Sequence, residues 1–283
     1  MPMILGLAPM DGITDLPYRT ITAEIFAKFS KPDTELRTRT EFMNADGYLT
    51  APLRVARHVA RADTEKNLIA QIYGGNGDSL RQTALDLKEK YPDFAGIELN
   101  IGCPSPKVIA CGGGSGMMTE KSKTLKIIES LAQILGEKIS IKVRAGLTDA
   151  DKTAQLEFLL AATEFCHTIS IHGRTMRDGH SGPVDRDFIR NFKQKIGTKS
   201  RVIGNGGLSN FDEALAQARD LDGTMIAQSA IGNPRIFTPH QPTRPEKLER
   251  ILRHLRLHCA FFSRRNSLEN SREKLSQNHQ KDS

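Results

Sequence analysis

The sequence predicts an α/β fold: a closed (β/α)8 TIM barrel followed by a short, truncated C-terminal helical segment. Three observations predict it. Short apolar, β-branched runs alternate with amphipathic helical stretches, as parallel strand–helix–strand units do. The alternation repeats eight times over roughly 230 residues, the size of one closed barrel. Polar residues that sit oddly in apolar runs fall where those runs end, the rim on which a barrel gathers its chemistry.

The strand candidates are, in order, Ile4–Ala8, Leu36–Phe42, Leu68–Tyr73, Ala95–Asn100, Ile139–Arg144, Thr168–His172, Arg201–Gly204 and Thr224–Ala227. Helical patterns occupy Leu16–Phe29, Pro52–Arg61, Ser79–Lys90, Lys121–Leu135, Ala150–Phe165, Asp187–Lys195 and Asn210–Arg219. An open, doubly wound sheet is the main alternative. It usually carries a GxGxxG loop after its first strand, whereas this loop reads Pro9-Met10-Asp11-Gly12. The barrel is assigned to residues 1–240 and a basic helix to 241–263, its periodic part running from Pro245 to Phe262. Residues 264–283 are polar and aperiodic, the composition of a disordered tail.

The misplaced polar residues define a candidate site. Gln71 interrupts LIAQIYGG, Asn100 and Cys103 close IELNIGCP, and Lys142 and Arg144 punctuate ISIKVRAG. His172 ends TISIHG and Asn205 ends RVIGNGG. Cys103 follows a strand end between Gly102, which permits close approach of a ligand, and Pro104, which stiffens the turn. Cys111 lies in the glycine-rich stretch nearby but not at a strand terminus, and ranks second. Cys166 and Cys259 read as core or helix-face residues. No cysteine pair has CxxC spacing, so no metal site is expected. A lysine inside an apolar strand, as at Lys142, is costly unless paired or lining a cavity; the plainer reading is a side chain snorkelling to the rim. His172 stands before Gly173 and Arg174 and has the same standing. Loops after the seventh and eighth strands of a barrel often hold a phosphate through backbone N–H groups. Here they contain Asn205, Gly206 and Gly207, then Ala227 and Gln228.

The 283 residues carry a net charge of +7 and a pI near 9.3, a balance that favours polyanions without demanding one. No stretch is long and apolar enough for a membrane helix, and the start lacks the basic region of an export signal, so a cytoplasmic location and no membrane partner are expected. Oligomerisation leaves no mark in the sequence, and a monomer is expected.

The motifs LAPMDGITDLPYR, TEFM, AQIYG, ELNIGCPSPKV, GGGSGMM, IKVRAG, ISIHGRT, SGPVD, VIGNGG and MIAQSAIGNPRIF, in this order, resemble the tRNA-dihydrouridine synthase family from about Leu5 to Phe237. The resemblance implies a flavoprotein oxidoreductase of tRNA processing that binds FMN and takes hydride from NADPH. Reduced FMN then gives hydride to C6 of a uracil ring, and the cysteine of NxGCP, here Cys103, protonates C5. A thiol is mostly protonated at neutral pH, as a proton donor must be. The resemblance places Pro9, Met10, Asp11, Gln71 and Lys142 around the flavin ring. It places His172, Asn205, Gly206 and Gly207 around its phosphate, with Ala227 and Gln228 in the last phosphate loop. Asn100, Arg144 and Arg174 fall on the substrate side.

This chain departs from the family pattern in three places. Ala227-Gln228 stands where the family usually has Gly-Arg, which removes a charge-assisted phosphate contact. His180 and Arg186 replace the more common tyrosine and tryptophan. The tRNA-gripping helical domain is reduced to one basic helix, with Lys247, Arg250, Arg253 and Arg256 against an apolar side of Leu248, Ile251, Leu252 and Leu255. These departures leave two other readings open. One is an FMN-barrel reductase of a small molecule; the other is a non-catalytic flavin- or RNA-binding remnant.

Overall fold

The structure, a computed structural model, describes residues 2–279, with side chains described as far as Ser263 except that of Leu53. Its strands are β1 (Met3–Leu7), β2 (Thr34–Arg39), β3 (Met43–Asn44), β4 (Leu68–Tyr73), β5 (Gly96–Asn100), β6 (Ile139–Arg144), β7 (Thr168–His172), β8 (Arg201–Asn205) and β9 (Gly223–Ile226). All pairings are parallel. β1 sits between β2 and β9, and β2 also pairs with β4, so the sheet closes on itself. β3 is a two-residue appendage on the end of β4, which leaves the eight strands of a TIM barrel.

The helices are α1 (Leu16–Phe29), α2 (Ala45–Thr50), α3 (Pro52–Val55), α4 (Gly77–Lys90), α5 (Pro106–Ala110), α6 (Lys121–Leu135), α7 (Lys152–Ala162), α8 (Arg186–Ile196), α9 (Phe211–Ala218) and α10 (Arg244–His279). Short acceptor side chains start them where the loops end: Asp15 takes the Tyr18 N–H at 2.9 Å, Asp185 that of Phe188 at 2.8 Å, and Asn210 that of Glu213 at 2.9 Å. Alternate strand residues such as Leu99, Ile141, Ile171 and Val202 pack outward with Leu131, Leu159 and Phe192 of the helices.

The inner side of the barrel is part apolar, at Ile4, Ile203 and Met225, and part polar. Arg39, Gln71, Glu98 and Ser170 are all fully buried. Arg39 Nε lies 2.9 and 3.1 Å from the two Glu98 oxygens. A buried charge is tolerable because it is paired and hydrogen-bonded.

Three expectations change. The second strand ends at Arg39 rather than Phe42, because Glu41 turns under the first loop and accepts the Gly12 N–H at 2.6 Å. The helix expected over Pro52–Arg61 becomes α3 and a 3-10 turn, Ala56–Val59, which buries His58 and Val59. The last helix does not stop at Phe262 but runs to His279, since no proline or glycine follows Pro245. The expected tail, 264–283, thus falls on the end of α10 and on four residues outside those described.

α10 also meets the barrel by an unexpected side. Arg253 Nη2 bonds Glu24 at 2.8 Å and His254 stacks edge-on to Tyr18, both partners on α1. Leu248, Ile251, Leu252 and Leu255 remain more than half exposed. The acidic and aromatic groups on α1 select the basic, histidine-bearing side of α10. Among the described residues no helix is long and apolar enough to cross a membrane.

Candidate active site

A cavity of about 520 Å³ opens at the C-terminal ends of the barrel strands. Every expected site residue lines it except Asp11 and Gln71. Asp11 is exposed in the loop after β1, and Gln71 is fully buried beneath the cavity floor.

Gln71 nevertheless belongs to a chain of hydrogen bonds that ends at the cysteine. Glu98, bound to Arg39, offers only acceptors, so Gln71 turns Nε2 toward it, at 2.7 Å. That leaves Gln71 Oε1 to accept Asn100 Nδ2 at 2.9 Å. Asn100 Oδ1 in turn accepts the N–H groups of Gly102 at 3.1 Å and Cys103 at 2.9 Å. A side chain at the barrel centre thus fixes the loop that carries Cys103.

The other wall of that loop is glycine. Gly114 adopts φ +56°, and a Cβ there would lie 2.5 Å from the Cys103 carbonyl oxygen. Ser115 donates its N–H to the same oxygen at 2.9 Å. Arg144 braces the loop from below. Its Nε donates to Gly102 O at 2.9 Å, and its Nη1 to Thr175 O at 2.9 Å and Gly179 O at 2.8 Å. Arg144 thereby joins the loops after β5 and β7.

Lys142 projects from β6 into the cavity, and its ammonium has no hydrogen-bond or ion-pair partner among the described residues. Burial pushes its pKa down to about 8; Glu98 opposes this, while Arg144 and Arg39 add to it. His172, at the end of β7, is held well below the usual histidine value by burial and then by Lys142, Arg144 and Arg174. It is neutral at pH 7. Arg174 Nη1 lies 3.4 Å from His172 Nε2; an arginine only donates, so the ring accepts there and carries its proton on Nδ1. Arg174 Nε also donates to Gly182 O.

The loop after β8 brings the backbone close. Gly206 has φ +112°, and a Cβ on it would lie 2.7 Å from His172 Cδ2. The amides of Gly206 and Gly207 have no hydrogen-bond partner among the described residues. Ala227 and Gln228 face them across the cavity mouth.

The sequence reading missed Glu98 and Arg39, although a charged residue inside an apolar run is the signal that singled out Lys142. It also missed Phe42, Ser209 and Ser229, which line the cavity from loops with no distinguishing pattern.

The model of the Dihydrouridine synthase (Dus) family matches residues 6–281. The chain belongs to that family. It is similar to a probable tRNA-dihydrouridine synthase of Rickettsia conorii, 29% identical over 82% of this chain and 67% of that protein. Probable tRNA-dihydrouridine synthase 2 of Bacillus subtilis is 27% identical over 90% of this chain and 78% of its own length. tRNA-dihydrouridine synthase B of Pseudomonas putida is 27% identical over 91% and 77%. This Dus-family enzyme differs from the pattern of its motifs around Gly207. Arg186, at the start of α8, donates from Nη2 to Gly207 O at 3.2 Å. His180 lines the cavity with its ring 6.1 Å from that of His172.

Proposed function

We propose that the chain reduces uridines in tRNA to 5,6-dihydrouridine, with FMN as bound cofactor, NADPH as electron donor and Cys103 as the proton donor to C5. The observation that carries the reading is one cavity that joins a braced cysteine, an unpaired ammonium and two unbonded glycine amides.

The cavity's residues fit FMN. Lys142 offers a cation with no protein partner, and the Gly206 and Gly207 amides offer donors to a phosphate. Met10 and Met225 supply apolar, adaptable walls for a ring system. When bound, FMN supplies the hydride that is delivered to C6 of the uracil.

The protein's own groups do the rest. Asn100 and Arg144 hold the Cys103 loop from two sides, so the thiol meets the ring in a fixed position. The Cys103 thiol passes its proton to C5. Lys142 is positioned to stabilise negative charge in the cavity, and neutral His172 adds a polar wall without a further cation.

Mass spectrometry of nucleosides from an unmodified tRNA incubated with the protein, FMN and NADPH tests the reading. A uridine heavier by two hydrogens is expected. No such product, with FMN bound, would favour a reductase of small molecules.

A further inference from the structure

Among the described residues, two large apolar side chains of the barrel are exposed: Leu49 on α2 and Ile231 after β9. Single exposed apolar residues are ordinary on a protein surface, and Leu49 needs no explanation. Ile231 differs by its position. It is 50% exposed and lines the active-site cavity. With Ile13 it also lines a second depression of about 570 Å³ beside α10, so the two isoleucines form an apolar ridge between the two hollows. Their neighbours in the active-site wall, Ser209, Gln228 and Ser229, are polar.

The chain presents Ile231 on a braced turn. Its own N–H donates to Gln228 O at 3.0 Å, and the N–H groups of Ala230 and Asn233 donate to Ala227 O and Ala230 O, both at 2.8 Å. Tyr18, on α1, donates its hydroxyl to the Ala230 carbonyl, and Ser229 Oγ donates to Leu208 O at 2.7 Å. Gly232 turns the chain directly afterwards, at φ +68°. The branched side chain has few rotamers, so little freedom is lost when it is covered. Ile13, partly buried, is tied to Met10 O through its N–H at 3.1 Å.

We propose that Ile231 is a positioning residue that keeps the target uridine out of its stack: its side chain, backed by Ile13, fills the gap between the bases on either side. The proposal rests on the reading of the chain as a tRNA-dihydrouridine synthase. A uracil has to leave its stack to enter the cavity and meet Cys103. Its departure leaves two base faces without a neighbour. Those faces are apolar and carry no hydrogen-bonding groups, so a polar side chain at the lip could not replace the lost stacking. Apolar side chains, isoleucine among them, fill such unstacked steps in nucleic acids. Burial of Ile231 there would offset part of the cost of turning the base out.

The test is single-turnover oxidation of the reduced flavin by a saturating, unmodified tRNA transcript, with the full chain loaded with FMN and reduced by NADPH. Ile231→Ala is expected to slow this step about 10-fold, the weight of covering half an isoleucine side chain. Ile231→Phe, a larger apolar wedge, is expected to keep a rate near that of the wild type. Affinity for the transcript, read by fluorescence anisotropy, is expected to change less than the rate, because phosphate contacts dominate it. Flavin reduction by NADPH without RNA is the control for the fold. A wild-type rate in Ile231→Ala overturns the proposal. Equal slowing by Ile231→Ala and Ile231→Phe shows that the side chain packs the turn, and a slowed flavin reduction assigns it to the cofactor; either overturns the proposal. So does a lower affinity with an unchanged rate, the mark of a binding contact alone. These outcomes leave tRNA reduction by the wild type intact, whereas a wild type that reduces no uridine removes the tRNA reading as well.

Discussion

Asn100 donates from Nδ2 to Gln71 Oε1 at 2.9 Å while its own oxygen accepts two backbone N–H groups, so its remaining capacity is a single donor at the cavity. A ligand group opposite Asn100 must therefore accept. The keto oxygen of uracil does, and the amino group of cytosine does not. Asn100→Asp would remove that donor and set a carboxylate against Gln71 Oε1, which Glu98 prevents from turning. The expected result is a fall of about 10- to 100-fold in single-turnover uridine reduction, equivalent to one buried donor lost. Wild-type rates in the variant would refute the donor role.

Cys103 has its backbone fixed on both sides, and its side chain is partly exposed to the cavity. Replacing it with alanine leaves those backbone contacts in place. Cys103→Ala should slow tRNA reduction by roughly 10²- to 10⁴-fold, the usual weight of a general acid, while FMN absorption persists. Loss of flavin in parallel with activity would mark the cysteine as structural instead.

The ring of strands and most of the rim were legible because each rests on local pattern. Lys142, His172 and Asn205 stand out as polar ends of apolar runs, and the barrel rule says where such ends converge. The interior was less legible. Arg39 and Glu98 are 59 residues apart, and nothing local announces their pairing. The apolar stripe of α10 was visible as periodicity, but which side meets the barrel depends on Tyr18 and Glu24 of a distant helix.

Lys142 carries a cost that the bare protein cannot offset. Its pKa, near 8, lies below that of an unfolded lysine, so between about pH 8 and 10.5 the unfolded chain binds more protons and stability rises with pH. Below pH 8 the full penalty is present. The side chain keeps a flank open to the cavity, so only part of that penalty counts. Lys142→Met should stabilise flavin-free protein at pH 7 by roughly 1–2 kcal/mol, read as a higher urea midpoint, and the gain should shrink as pH passes 8. Unchanged midpoints would show that the ammonium is solvated.

Arg186 reaches the glycine turn after β8 from the start of α8 and makes no ion pair among the described residues. Its Nη2 would lie 3.8 Å from a Cβ on Gly207, which puts a cation beside the turn that carries the unbonded amide. An exposed guanidinium is worth little to a neutral ligand and more to a dianion a few ångströms away. Arg186→Ala should therefore weaken FMN binding by about 3- to 10-fold and leave riboflavin, which lacks the phosphate, unaffected. Titration of the flavin-free protein with each ligand, followed by flavin fluorescence, measures both affinities. Equal losses for the two ligands would place the effect in the fold of the loop, and no loss for either would leave the phosphate to the glycine amides alone.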